Sequence, residues 1–155
     1  MSEASTIFYK RANFVTHLPV GHRYTASHGW MAAAAPGRWR VGFTRFALRM
    51  LGEIVDVQLE KREGEAVAPG DIVGSIEGFK ALSDIYCVGR GTFAGSNPFL
   101  REGLDRVTRD PYKEGWLYEF NGDPDGDIDV NSYRSLLDVT IDRILAKQQE
   151  GETAA

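Results

Sequence analysis

The spacing of apolar residues predicts mostly short strands through the middle of the chain. Residues 53–60, E-I-V-D-V-Q-L-E, alternate apolar and polar positions, and the runs at 71–77 and 83–95 continue this period of two, which is typical of half-buried strands. Glycines at the ends of these runs supply the sharp corners, namely Gly64, Gly70, Gly74, Gly78, Gly89, Gly91 and Gly95. Short strands with glycine corners predict a compact β-sandwich or barrel.

Two segments have a helical period instead. Apolar residues recur at helical intervals up to Leu51, which predicts a short helix over 44–51 with Thr44 as its N-cap and Gly52 in a left-handed C-cap. Near the C-terminus, residues 132–146 are predicted to form an amphipathic helix. Its apolar positions are Tyr133, Leu136, Leu137, Ile141, Ile144 and Leu145.

The two ends of the chain carry weaker patterns. We predict a flexible tail over 1–12, one domain over 13–146 and a flexible polar tail over 147–155. Within the domain, the segment that starts at Phe14 is expected to be extended, and D-P-Y-K-E-G-W at 110–116 is expected to lead from a proline turn into the last strand.

Composition narrows the classes of function. The chain has 155 residues, of which 43% are apolar and 26% charged, as in an ordinary single globular domain. Its formal net charge of −4 disfavours nucleic acid as a partner, because phosphate binding needs a basic face. Cys87 is the one cysteine, so no intramolecular disulfide is possible. No run has the length of a signal peptide core or a membrane span, and we therefore expect a cytoplasmic protein without a membrane partner.

Lys80 is the candidate for chemistry. It lies between two strand-like runs, 71–77 and 84–88, and this places it at or near a hairpin tip. A lysine there is either an ordinary solvated turn residue or a modification site. An enzyme that attaches a prosthetic group through an amide bond needs an exposed amine on a rigid turn, and a hairpin tip preceded by Gly78 provides one.

Several motifs around Lys80 resemble one known family. The matching segments are V-G-F-T at 41–44, L-G-E-I-V at 51–55, G-S-I-E-G-F-K-A-L-S-D-I-Y at 74–86 and D-P-Y-K-E-G-W at 110–116, with H-G-W at 28–30 and Asn97 at family-like spacing. Together they resemble the H protein of the glycine cleavage system, a lipoyl carrier, over residues 14–141. The resemblance implies a mainly β fold, the barrel-sandwich hybrid of lipoyl and biotinyl domains, with short helices and a C-terminal helix.

The resemblance also implies the site and the partners. Lys80 takes the position of the lysine that bears a covalent lipoyl group, in surroundings made up of Glu77, Gly78, Phe79, Ala81, Ser83 and Asp84. The carrier is not itself a catalyst. A lipoate-attaching enzyme would modify it, and it would then serve glycine decarboxylase, aminomethyltransferase and dihydrolipoyl dehydrogenase.

Departures from the usual family pattern leave two alternatives. The family commonly has E-S-V-K-A where this chain has E-G-F-K-A, and the C-terminal helix is longer than usual. These features also resemble H-like lipoate-binding proteins of bacterial sulfur oxidation, which carry sulfur intermediates for a heterodisulfide-reductase-like complex. An unlipoylated binding or regulatory module is the second alternative.

Individual residues keep two interpretations each. Phe79 either packs in the core beneath the turn or alters a docking surface. Cys87 is interpreted as a buried apolar thiol, although an exposed thiolate there could exchange with a lipoyl disulfide.

Residues 121–132 resemble a calcium loop, but Ser132 stands where the bidentate glutamate belongs, so a turn and helix cap are predicted. No metal site or catalytic residue is predicted.

Overall fold

The computed structural model describes residues 5–154 and shows a mainly β protein. The strands are β1 (Thr6–Arg11), β2 (Phe14–Pro19), β3 (Arg23–Tyr24), β4 (Gly29–Ala35), β5 (Arg38–Phe43), β6 (Ile54–Leu59), β7 (Ala66–Val67), β8 (Ile72–Gly78), β9 (Leu82–Tyr86), β10 (Gly89–Ser96) and β11 (Tyr118–Pro124). The helices are α1 (Arg45–Leu51), α2 (Asp105–Arg109) and α3 (Val130–Ala154), with a 3₁₀ turn at Pro98–Arg101. The period of two and the helix that begins after Thr44 are thus confirmed.

The strands form three antiparallel sheets. A six-stranded sheet has the order β3-β4-β5-β11-β10-β7, a three-stranded sheet has the order β6-β8-β9, and β1 pairs with β2. The six- and three-stranded sheets enclose one core, in which alternate side chains of each strand point inward. Residues of this core include Met31, Val41, Val73, Ile76, Ile85, Phe93, Tyr118 and Phe120.

A second core lies where α3 covers α1 and the β1–β2 hairpin. It includes Tyr9, Phe14, Leu18, Tyr24, Trp30, Phe46, Tyr133, Leu137 and Ile141. Five of the six apolar positions predicted for the C-terminal helix are buried or half-buried here, whereas Leu145 is 38% exposed. Tertiary cover of this apolar stripe, more than helix propensity, stabilises such a helix.

Tyr133 connects the parts of the second core. Its ring stacks on Tyr24 with centroids 4.7 Å apart, and its hydroxyl lies 2.9 Å from Nδ1 of His28 and 2.8 Å from Oγ1 of Thr44. Thr44 also accepts from the backbone N–H of Ala47, as predicted for the N-cap of α1. Burial lowers the pKa of His28 to about 4, so this imidazole is neutral at pH 7.

The predicted N-terminal tail over 1–12 is wrong for residues 6–11. They form β1, which pairs with β2 through a turn at Ala12 and Asn13. The Tyr9 hydroxyl donates to Asp138 of α3 at 2.7 Å, and Arg11 bonds to Asp142 at 2.6 Å. These partners lie far along the chain, so local pattern gave no sign of them. The start of the predicted tail, 1–4, lies outside the described residues.

The predicted bounds of the last helix, 132–146, are too short. α3 begins at Val130 and continues to Ala154, so residues 147–154 are helical rather than an irregular tail, and residue 155 lies outside the described part. The added turns are polar and rich in good helix formers such as lysine, glutamine and glutamate, so they extend a helix already nucleated by the buried stripe. No helix in the described part is long and apolar enough to cross a bilayer.

We expect replacement of Leu137 by Ala to lower the free energy of unfolding by about 3 kcal/mol, because it leaves a cavity in the second core. Leu137 has no solvent exposure. Val139→Ala is the control, since Val139 on the same helix is 57% exposed and should change stability by less than about 0.5 kcal/mol. Urea unfolding followed by circular dichroism measures both. Equal stability of the two variants would contradict a packed second core.

Candidate modification site and adjoining cleft

Lys80 lies at the tip of the β8–β9 hairpin, as predicted. Glu77 and Leu82 form the last residue pair between β8 and β9. Beyond this pair, the Gly78 N–H donates to the Ala81 carbonyl at 2.9 Å. Phe79 and Lys80 therefore form the turn, and both are exposed. The tip presents its lysine outward from the three-stranded sheet.

The backbone of the tip is fixed against the C-terminal end of α1. The Lys80 N–H donates to the Leu51 carbonyl at 2.9 Å, and the Phe79 N–H donates to the Glu53 carbonyl at 3.0 Å. The last carbonyls of a helix have no partner within the helix, and the tip supplies a donor to one of them. The hairpin is thus held by an element far from it in sequence, which makes the turn rigid.

Two glycines allow the backbone of the tip to lie this close to the end of α1. A Cβ on Gly78 would lie 2.1 Å from the Leu51 oxygen, and one on Gly52 would lie 3.0 Å from Cγ of Lys80. Gly52 has a positive φ of 81°, as predicted, but its ψ of −169° differs from the predicted left-handed conformation. Gly78 does not adopt a positive φ, so it does not form the sharp corner that was predicted for it. It is needed because the backbone of α1 leaves no room for a side chain.

The Lys80 amine is accessible. Its Nζ lies 3.4 Å from the Arg49 carbonyl, and in the described part of the chain it forms no ion pair with a carboxylate. Glu77 and Asp84, which bracket it in sequence, are exposed. An amine held this loosely at a rigid turn can be acylated without breaking a structural ion pair.

A cleft of about 550 Å³ adjoins the lysine. Lys80 forms part of its wall, and the other lining residues come from the β1–β2 turn, α1 and α3. They are Ala12, Asn13, Phe46, Arg49, Met50, Ile141, Ile144, Leu145 and Gln148. The sequence did not predict this cleft, because its walls come from segments that only the second core brings together.

The side chains beside Lys80 are apolar and exposed. Phe79 is 74% exposed and Leu82 is 70% exposed. The interpretation of Phe79 as core packing beneath the turn is therefore wrong. Ser83 is half-buried, and its hydroxyl donates to the Asp84 carbonyl at 3.0 Å.

Cys87 is a buried thiol, which confirms the first of its two interpretations. It is 2% exposed, and its Sγ donates to the Gly89 carbonyl at 3.2 Å. Burial raises its pKa, which disfavours the thiolate that disulfide exchange requires.

The loop that resembles a calcium site is a strand end and a helix cap. Residues 121–124 belong to β11, and Asp129 accepts from the backbone N–H of Ser132 at 2.8 Å at the start of α3. This hydrogen bond lowers the pKa of Asp129. The side chains that the structure describes include no cluster of three or more potential metal ligands.

Comparison with known proteins places this geometry in a family. The family model described as glycine cleavage H-protein matches residues 22–137. The glycine cleavage system H protein of Idiomarina loihiensis is 31% identical over 128 residues, covering 80% of this chain and 98% of that protein. That of Micrococcus luteus is 42% identical over 106 residues, covering 68% and 82%.

A solved structure supports the same assignment. The crystal structure of a glycine cleavage system H protein from Mycobacterium marinum matches with a TM-score of 0.68 and 32% sequence identity, covering 76% of this chain and 97% of that one. The resemblance drawn from the motifs and the predicted barrel-sandwich fold class are both confirmed. With a model match over most of the domain and relatives covered nearly end to end, this chain belongs to the glycine cleavage H-protein family.

Proposed function

We propose that this chain is the lipoyl carrier of a glycine cleavage system, with lipoate joined by an amide bond to Nζ of Lys80. One observation carries the choice of residue: Lys80 is an exposed amine, in no ion pair within the described part, on a turn that α1 holds rigid. The family supports the cofactor, and the geometry of the tip fits its attachment.

The residues present fit an amide-linked lipoyl group. Acylation keeps one hydrogen on the Lys80 nitrogen, so the approach to the Arg49 carbonyl remains available. The adjoining cleft has apolar walls at Met50 and Ile144, which suit a saturated chain that would otherwise be exposed to water. When attached, lipoate supplies a redox-active disulfide.

The chain's own contribution is to hold and present the attachment point. The fixed backbone at Lys80 confines the tether to one place on the surface, while the lysine side chain itself stays free to rotate. Such a tether raises the effective concentration of the attached group at each enzyme that the carrier visits. Catalysis then belongs to the partner enzymes.

The proposed partners follow from this role. They are the lipoate-attaching enzyme and the three enzymes that use the arm: glycine decarboxylase, aminomethyltransferase and dihydrolipoyl dehydrogenase. A cytoplasmic location is part of the proposal, since the lone Cys87 is a buried free thiol and reducing compartments keep thiols in that form. The alternatives of a sulfur-carrying protein and of an unlipoylated module gain no support from the comparisons.

Replacement of Lys80 by Arg is expected to abolish lipoylation and leave the fold intact, because the side chain is exposed and a guanidinium is a poor acyl acceptor. Intact mass should show one lipoyl group on the wild type from its native host and none on the variant. The lipoylated wild type should support carbon dioxide exchange by glycine decarboxylase. A wild type that stays unmodified in a lipoate-replete host would refute the carrier role, and lipoylated protein without exchange would refute the glycine cleavage assignment.

Replacement of Gly78 by Ala is expected to destabilise the protein by about 2 kcal/mol or more and to slow lipoylation, although Lys80 is still present. The added Cβ meets the Leu51 carbonyl and displaces the tip from α1. Gly21→Ala is the matched control, since a Cβ there meets nothing within 4 Å. Thermal melting and lipoylation rate are measured for both. The same values for the two variants would contradict the steric role of Gly78.

A further inference from the structure

The tip combines an exposed aromatic side chain with exposed carboxylates. Phe79, next to the modified lysine, is 74% exposed, and Leu82 on the other side of it is 70% exposed. Large apolar side chains left in water on a rigid, functional turn indicate a surface that a partner covers. Since every enzyme that acts on Lys80 must approach this turn, the two side chains lie in the path of docking.

Two carboxylates lie opposite each other on the sheet behind the tip. In the register of the three-stranded sheet, Asp56 of β6 lies directly opposite Glu77 of β8, and Glu77 lies opposite Leu82 of β9. Both carboxylates are exposed, and neither forms an ion pair among the described residues. Like charges directly opposite each other on a sheet destabilise the fold, so their pairing favours a role in binding a cationic partner.

The step at Nζ identifies which partner covers the tip. An attaching enzyme joins the activated carboxyl carbon of a lipoyl adenylate to the neutral amine of Lys80; the bond from that carbon to the phosphate oxygen breaks, AMP leaves, and the nitrogen gives up one proton to solvent. That enzyme must bring its active site to the amine itself, and so must cover the adjacent Phe79. Enzymes that act on the far end of the finished arm are not forced into this contact.

We propose that Phe79 and Leu82, backed by Asp56 and Glu77, form the docking surface for the lipoate-attaching enzyme, whose active-site entrance carries an apolar pocket for Phe79 bordered by arginine or lysine side chains. This inference rests on the proposed function. It assigns to Phe79, a departure from the family's usual small aliphatic residue, the selection of the modifying enzyme. Rim carboxylates then contribute mainly to encounter and to salt dependence.

The test measures initial rates of lipoylation by the host's purified attaching enzyme with lipoate, ATP and Mg²⁺, over a range of concentrations of unmodified carrier. Phe79→Val should raise the KM for the carrier about tenfold, as for loss of a buried aromatic anchor. Phe8→Val is the matched control, because Phe8 on β1 is 57% exposed and lies in a different hairpin. The KM of Phe8→Val should equal that of the wild type. Both variants should melt at the same temperature as the wild type.

Several outcomes would overturn the inference. A wild-type KM for Phe79→Val, a loss confined to kcat, or the same loss in Phe8→Val would each do so. A wild type that the enzyme leaves unmodified would instead refute the proposed function, so the two failures are distinguishable.

The carboxylates are tested in the same assay. The double variant Asp56→Asn, Glu77→Gln should raise the KM about threefold at low salt and converge with the wild type at high salt, because screening removes the attraction. The control is Asp123→Asn, Asp125→Asn, which removes two exposed charges elsewhere on the surface. The same salt dependence in both double variants would show that net charge, and not this surface, is recognised, and would overturn the electrostatic part.

Discussion

The hydrogen bond from the Lys80 amide to the Leu51 carbonyl holds the tip of the β8–β9 hairpin in place, and the surrounding structure is arranged to permit it. At 2.9 Å it joins the hairpin to the end of α1. Glycine at position 78 is the condition for this approach, since any Cβ there would collide with the same carbonyl. α1 is in turn held by its N-cap Thr44, which Tyr133 of α3 contacts. A lysine side chain at the surface is thus positioned through three elements.

The second core serves the site rather than only the stability of the fold. The β1–β2 hairpin and α3 pack on α1, and their outer ends become walls of the cleft beside Lys80. Residues 12–13 and 141–148 of these walls lie outside the 22–137 span that the family model matches. The segment that the family model matches therefore supplies the tip, and segments on either side of it complete the walls of the cleft.

The sequence predicted the features that local pattern determines. Thr44 and Gly52 mark the ends of α1, and the period of two marks the strands, because capping and alternation act over a few residues. The motif around Lys80 identified the hairpin tip for the same reason. β1 was missed because its turn at Ala12 and Asn13 has no glycine signal.

The contacts that complete the candidate site could not be predicted in this way. Gly52 and Arg49 lie about thirty positions before Lys80, and Ile144 lies more than sixty after it. Only packing brings them together, so no local pattern in the sequence marks them as neighbours of the lysine. The exposure of Phe79 likewise depends on how the β8–β9 hairpin is oriented against the end of α1.

The hydrogen bonds of the tip also limit how it can be recognised. The backbone N–H groups of Gly78, Phe79 and Lys80 all donate within the protein, to Ala81, Glu53 and Leu51. A partner that formed a β-ladder with the turn would find these three donors already used. Recognition of the turn therefore falls to its side chains, because its backbone donors are already used.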